Sequence, residues 1–433
     1  ISAYKYNEFG LPTAITDSVG ATGQIAYDSR GNLQKHTDPS GVTTEIRYTP
    51  ADLPEHVLRG GIVQLTAEYD AARTLVGLHE SGMASYRMAL DQSGNISNAR
   101  TSGDMMASYK RDSFGNIIET DITGRGPAKF TYRNGSLIQA TDKSGGIWHY
   151  TYDKSGKLAS HQDSSGKKTS FVYNAAGYLT EKIYPNGQTT TYEYDHQGRV
   201  IEASNGKDKA SIRYDAGGRP VSEQISGMAA VRAVYEKSGK DFVLHIGDTQ
   251  VKYSHNADGK LVKASVANGP AVSFSFDAAG NMEAMNYSNG VRTVYVYDKS
   301  GRTISIAHQK EKRVLTGRNY DWSPSGQVSG IEYLPTGTRS TLLYDSDSRL
   351  VSMEGPGKIS VSYLQGGLRN SVKEGGAEIA PYRYDESWRL AEAGKVRYSH
   401  DAAGNRTARK DDRGVTEYAY DTENGLIAVK LPD

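Results

Sequence analysis

The residues of this chain best placed to do chemistry are its aspartates, because they recur at one fixed point of a repeating phrase. An aromatic residue precedes each, and a glycine follows three positions later: Tyr27-Asp28…Gly31, Tyr152-Asp153…Gly156, Tyr194-Asp195…Gly198, Tyr214-Asp215…Gly218 and Tyr297-Asp298…Gly301. Paired carboxylates would serve general acid–base chemistry. A carboxylate present at every turn reads more simply as a cap that accepts backbone amides two residues on. The tyrosines offer two roles, a stacking platform for carbohydrate or a ladder of rings stacked across adjacent strands; the ladder is the expected one. His161-Gln162-Asp163 is the nearest approach to a metal-ligand set and falls on a turn. Asp345-Ser346-Asp347 opens like a calcium loop but lacks its glycine and terminal glutamate. Gly166-Lys167-Lys168-Thr169 lacks the first glycine of a phosphate loop, and no Gly-x-Ser-x-Gly elbow is present. The sequons at Asn95, Asn134, Asn286 and Asn405 would matter only in a eukaryotic secretory route, which the absence of cysteine disfavours. No catalytic residue, metal or cofactor is expected.

The phrase returns every 20 or 21 residues, and with weaker copies there are about 21 units, a period that signals a repeat architecture. In the unit from Tyr184 to Ser204, Thr190, Tyr192 and Tyr194 alternate with Thr191 and Glu193, the period of two of a strand. Asp195-His196-Gln197-Gly198 has the residue preferences of a type I turn, and Arg199 to Ser204 forms the return strand. Pro185-Asn186-Gly187 is the turn joining one hairpin to the next. An apolar residue stands two places after the turn glycine, as at Leu33, Leu137, Leu158, Leu179, Val200 and Met282. The unit is a β-hairpin, and the chain predicts an all-β array of such hairpins. With strands of about seven residues the ribbon would be some 23 Å wide, and a sheet of roughly 42 strands must coil, because twist makes large sheets curl or split.

Composition narrows the function. Lysine and arginine number 51 against 50 acidic residues, and no long run of one sign occurs, which argues against nucleic-acid binding. No apolar stretch approaches the ~20 residues of a membrane span. Only 37% of residues are hydrophobic, while tyrosine reaches 30 and phenylalanine only 7, which fits a sheet with wet faces better than a thick core.

The Tyr-x-Tyr-Asp-x-x-Gly-Arg core at Tyr192–Arg199 and Tyr295–Arg302, with the Asn-Gly turns at Asn186-Gly187 and Asn289-Gly290, resembles the tyrosine-aspartate (YD) repeats of the rearrangement-hotspot, or Rhs, family. The resemblance covers essentially the whole chain. It implies a spiralling, hollow β-sheet shell. In bacterial members such a shell encloses a C-terminal toxin of the same polypeptide until delivery, as in type VI secretion effectors and the cocoon subunits of Tc toxins. It also implies a secreted or delivered bacterial protein, with a secretion-system spike or chaperone as a further partner. Animal teneurins use a similar barrel for adhesion, so a surface protein that binds carbohydrate is the alternative. The family's self-cleaving core has an Asp-Pro-x-Gly motif; here the only Asp-Pro is Asp38-Pro39-Ser40-Gly41, near the start and in an ordinary turn, so that activity is not carried over.

One repeat segment is expected over residues 1–433, regular through 301 and less regular over 302–433. Ile1 is not an initiator methionine, and the repeats fill the chain almost end to end, which predicts a fragment of a longer protein. The stride breaks at residues 52–88, 303–318 and 355–376. A longer hairpin or protruding loop is expected around Lys310-Glu311-Lys312-Arg313, since deviations of this kind are where solenoids bend, insert or bind.

Overall fold

The computed structural model describes residues 3–16, 20, 22–39, 41–103, 105–123, 125–237, 239–364, 366–401, 403–421 and 424–432. Ser40 of the Asp-Pro motif and the two terminal residues thus lie outside the described residues. Among the described residues there are 42 strands, from Ala3–Tyr6 to Leu426–Lys430, and no helix. Glycine or a turn residue interrupts the chain too often for helical periodicity to develop. Most strands have five or six residues rather than about seven, because each unit of 20 or 21 must also supply two turns.

The chain forms two compact units, one from Ile1–Arg87 with Val231–Lys358 and the other from Met88–Ala230 with Ile359–Asp433. Within each unit, strands pair antiparallel with their sequence neighbours. In the first, Thr22–Tyr27 pairs with Leu33–Thr37, which pairs with Thr43–Tyr48. In the second, Thr189–Tyr194 pairs with Val200–Ser204, which pairs with Lys209–Tyr214. Buried side chains are few and mostly small: Ala14, Leu58, Ala67, Ala284, Ala307, Thr293, Ser300 and Ser340 in the first unit, and Ser160, Thr169, Tyr184 and Thr416 in the second. Threonine, serine and alanine at these sites permit close contact without a thick apolar layer. Stability must therefore come largely from the strand ladders and the links between hairpins.

The first unit contains the long hairpin anticipated from the broken stride. Thr303–Lys310 and Arg313–Trp322 are joined by Glu311 and Lys312, both with positive φ (50° and 68°), a two-residue hairpin turn. The degenerate stretch at 52–88 has a use that the period does not reveal. Its turn at Gly60-Gly61 lies against a turn more than two hundred residues away, where Ser300 Oγ donates to the Arg59 carbonyl at 3.1 Å. A Cβ on Gly60 would sit 2.8 Å from the Lys299 carbonyl oxygen, so this contact requires glycine. Within the second unit the two chain segments meet where Lys143 Nζ lies 5.6 Å from the centroid of the Trp388 ring.

Candidate functional site

The repeated turn is the one constellation in which the sequence-selected residues come together. Take Asp195. Its backbone N–H donates to the Arg199 carbonyl at 3.0 Å, and its carbonyl accepts from Gly198 N–H at 3.0 Å. Its Oδ1 accepts the amides of Gln197 and Arg199 at 2.9 and 3.0 Å, and its Oδ2 accepts Arg199 Nε at 2.6 Å. Gly198 has φ of 78°, the left-handed conformation that lets the strand resume after the turn with a bulge between Glu193 and Tyr194. The expected turn cap is therefore present, and it reaches four residues on as well as two.

The other signature positions repeat this arrangement. Asp28 accepts Arg30 N–H and Asn32 N–H at 2.9 and 2.8 Å, with Asn32 Nδ2 at 3.1 Å on its second oxygen. Asp153 accepts Ser155 and Lys157 amides at 2.8 and 3.0 Å. Asp215 takes the amide and Nε of Arg219 at 2.9 and 2.8 Å. Asp298 takes Ser300 and Arg302 amides at 2.8 and 2.9 Å and Arg302 Nε at 2.7 Å. Gly31, Gly156, Gly218 and Gly301 all have φ between 77° and 86°.

At Asp28, Asp195, Asp215 and Asp298 these contacts favour the ionised carboxylate. The Arg219 backbone amide and then its guanidinium place Asp215 below the ordinary carboxylate range. At Asp195 and Asp298 partial burial is the largest single influence and acts upward. The combined donors of Arg199 and Arg302 outweigh it, and both groups are lowered. A carboxylate so engaged is a poor proton acceptor.

The tyrosines do something the sequence reading missed. Each signature hydroxyl donates to the carbonyl of the residue two places after the turn glycine of the preceding hairpin: Tyr27 to Pro12 at 3.0 Å, Tyr152 to Leu137 at 2.9 Å, Tyr194 to Leu179 at 2.7 Å, Tyr214 to Val200 at 3.0 Å and Tyr297 to Met282 at 2.9 Å. Ring stacking between repeat tyrosines is not the organising contact. Successive repeat tyrosines stand two strands apart, about 9.6 Å, too far for their rings to stack. The residue after the turn glycine fills the gap. The Arg199 guanidinium lies 4.4 Å from the Tyr214 ring centroid and Arg302 lies 5.4 Å from that of Trp322. Lys157 and Lys260 likewise lie over the next rings, 5.5 Å from the Tyr173 centroid and 5.0 Å from that of Phe276, and also donate to the carbonyls of Gly177 and Gly280, both at 2.9 Å. Two signals pointed here: the excess of tyrosine over phenylalanine, and the offset of 14 or 15 residues from anchor to tyrosine.

The remaining candidates sit in the same scaffold. His161 packs edge-on to Phe171 with centroids 5.8 Å apart, while Asp163 caps its turn through Ser165 and Lys167 amides at 2.9 Å. Asp345 is engaged by Arg349, its amide at 2.9 Å and its Nε at 2.8 Å. Asp38 Oδ1 accepts Val42 N–H at 2.9 Å, as any other repeat aspartate does. Among the described residues no group of three or more histidine, aspartate or glutamate side chains is placed to hold a metal ion.

Residues 188–315 match the family model of the teneurin YD-shell, and residues 152–189 that of the RHS repeat. Together the two matches cover residues 152–315, where the chain carries repeats of the Rhs/YD type. Its fold is that of solved Tc toxin components. A crystal structure of TcdB2-TccC3 aligns with a TM-score of 0.59 at 11% identity over 100% of this chain and 31% of that one. The Tc holotoxin pore of Photorhabdus luminescens aligns with a TM-score of 0.58, again at 11% identity, over 100% of this chain and 30% of that one. The chain thus spans about a third of the length of the solved chains it matches. No curated protein sequence matches it. The all-β array of antiparallel hairpins expected from the sequence is the fold that the described residues have.

Proposed function

We propose that this chain is a non-enzymatic wall segment of an Rhs-type toxin, and that the wall keeps a toxic polypeptide, borne C-terminally on the same protein, from its targets until delivery. On this reading residues 1–433 act as one segment of a longer, secreted or delivered bacterial protein, and a secretion-system spike or chaperone would engage the parent. The observation that carries it is the sealed turn edge. The hairpins of Tyr27, Tyr152, Tyr194, Tyr214 and Tyr297 are each bound to the one before by a tyrosine hydroxyl on a backbone carbonyl. A barrier needs such seams and has no need of a reactive group. The repeat aspartates are fully committed to amides and guanidinium groups, which weighs against an acid–base role. The likeness to TcdB2-TccC3 supports the assignment at the level of fold. The adhesion alternative fares less well on the tyrosine row, since its hydroxyls are spent within the wall.

The test is limited proteolysis of the full parent polypeptide. The region downstream of the repeats should resist a protease that digests it rapidly when it is expressed alone. Equal digestion rates for the linked and isolated forms would rule the enclosure out.

A further inference from the structure

Each unit is made of two chain segments, and what joins the segments differs in kind from what joins the strands within them. Among the described residues strands pair with their neighbours in sequence, so the two segments of a unit share no ladder. They meet at turns instead. In the first unit the Ser300 hydroxyl donates to the Arg59 carbonyl across 241 residues of sequence. In the same unit the turn at Ser81-Gly82 meets the turn at Ser325-Gly326. A Cβ on Gly82 would lie 3.0 Å from the Gly326 carbonyl oxygen, and the buried Ser81 hydroxyl faces Gly326 with no hydrogen-bond partner among the described residues.

The second unit has a meeting of the same kind, where Lys143 stands over the Trp388 ring. Trp388 holds the position that glycine holds in the signature turns. Its N–H donates to the Asp385 carbonyl at 2.9 Å, and its φ of 65° is the left-handed conformation of those glycines. A bulky residue in that conformation is strained. The strain does nothing for the turn, since glycine closes Asp195–Gly198 without it. The ring instead reaches the other segment, where it lines one concavity with Ile122, Pro127 and Lys143.

Contacts of this kind are borne by single side chains, whereas each ladder is a row of paired backbone groups. Opening a unit between its segments therefore breaks less than opening it between strands, and proteins open first where the fewest buried contacts and backbone bonds are lost. We propose that each unit parts along its turn-to-turn seam while the hairpins on either side stay paired, with Trp388 as a strained latch on the second seam. As an exit for cargo this rests on the enclosure reading. The parting itself does not, and a chain without cargo tests it alone.

The experiment is thiol labelling of the full chain, which has no cysteine of its own. Ser81 and Ser340 are matched positions, since both hydroxyls are buried without a partner among the described residues. Ser81 faces the seam, whereas Ser340 lies within the strand Thr338–Tyr344 and is covered by Gly355. With an aromatic disulfide reagent and no denaturant, Ser81→Cys should be labelled roughly a hundredfold faster than Ser340→Cys, or more. Melting at the parent's temperature establishes that both thiol variants are folded. Adding Gly60→Val, which pushes the facing turn away, should speed labelling at residue 81 roughly tenfold and leave that at residue 340 unchanged. Trp388→Gly should lower the melting temperature even though it relieves the strained turn. Equal labelling of the two thiols, equal acceleration of both by Gly60→Val, or a raised melting temperature for Trp388→Gly would overturn the proposal.

Discussion

At the scale of the residue, the preference of these repeats for tyrosine rests on one oxygen. A phenylalanine ring would occupy the same place but leave the preceding hairpin's carbonyl unsatisfied. For Tyr194→Phe the lost bond to Leu179, 2.7 Å long, should lower stability by ~1 kcal/mol in chemical denaturation. The chain contains the reverse experiment: Phe276 stands where other units have tyrosine, 15 residues after Leu261. Phe276→Tyr should be neutral or stabilising by up to ~1 kcal/mol. If Tyr194→Phe leaves the denaturation midpoint unmoved, the hydroxyl link is incidental. The aspartate's role as a cap was legible because an Asp-x-x-Gly turn is chemistry within five residues. The destination of the tyrosine hydroxyl was not, because it lies on a different hairpin.

At the scale of the element, the hairpins were readable almost to the residue. Thr189–Tyr194 and Val200–Ser204 fall where alternation and turn residues put them. The long hairpin over Thr303–Trp322 follows from its interrupted stride. The stretch around Gly60-Gly61 was legible only as a flaw in the period. Its positive-φ glycines resemble each other, yet a Cβ on Gly61 would meet nothing within 4 Å, whereas one on Gly60 meets the Lys299 carbonyl oxygen at 2.8 Å. Gly61→Val should therefore cost about the ~1–2 kcal/mol of left-handed backbone strain alone. Gly60→Val should cost a further ~1–3 kcal/mol as the facing turn is pushed away. Equal losses for the two variants in thermal or denaturant melts would mean that the turn-to-turn contact contributes nothing.

At the scale of the whole molecule, one local device repeated many times becomes a collective property. Asp28, Asp112, Asp195, Asp215, Asp298 and Asp385 are all held below the ordinary carboxylate range in the folded chain. For a lowered folded value the sign is fixed: the stabilisation is present above the unfolded value of about 3.9 and is lost as pH falls through the folded ones. The denaturation midpoint should be nearly flat from neutrality to about pH 5 and then drop steeply toward pH 2, and Asp215→Asn should make the drop shallower. A midpoint indifferent to acid would contradict this account of the turns. The sequence by itself determined the hairpin unit, its period and the aspartate caps, because strand alternation and turn preferences act between residues close in the chain. Only the tertiary structure decided that the signature tyrosines bond to the preceding hairpins and that Gly60 must be bare. Those outcomes depend on which side chains meet across separate hairpins, and a local pattern carries no information about such meetings.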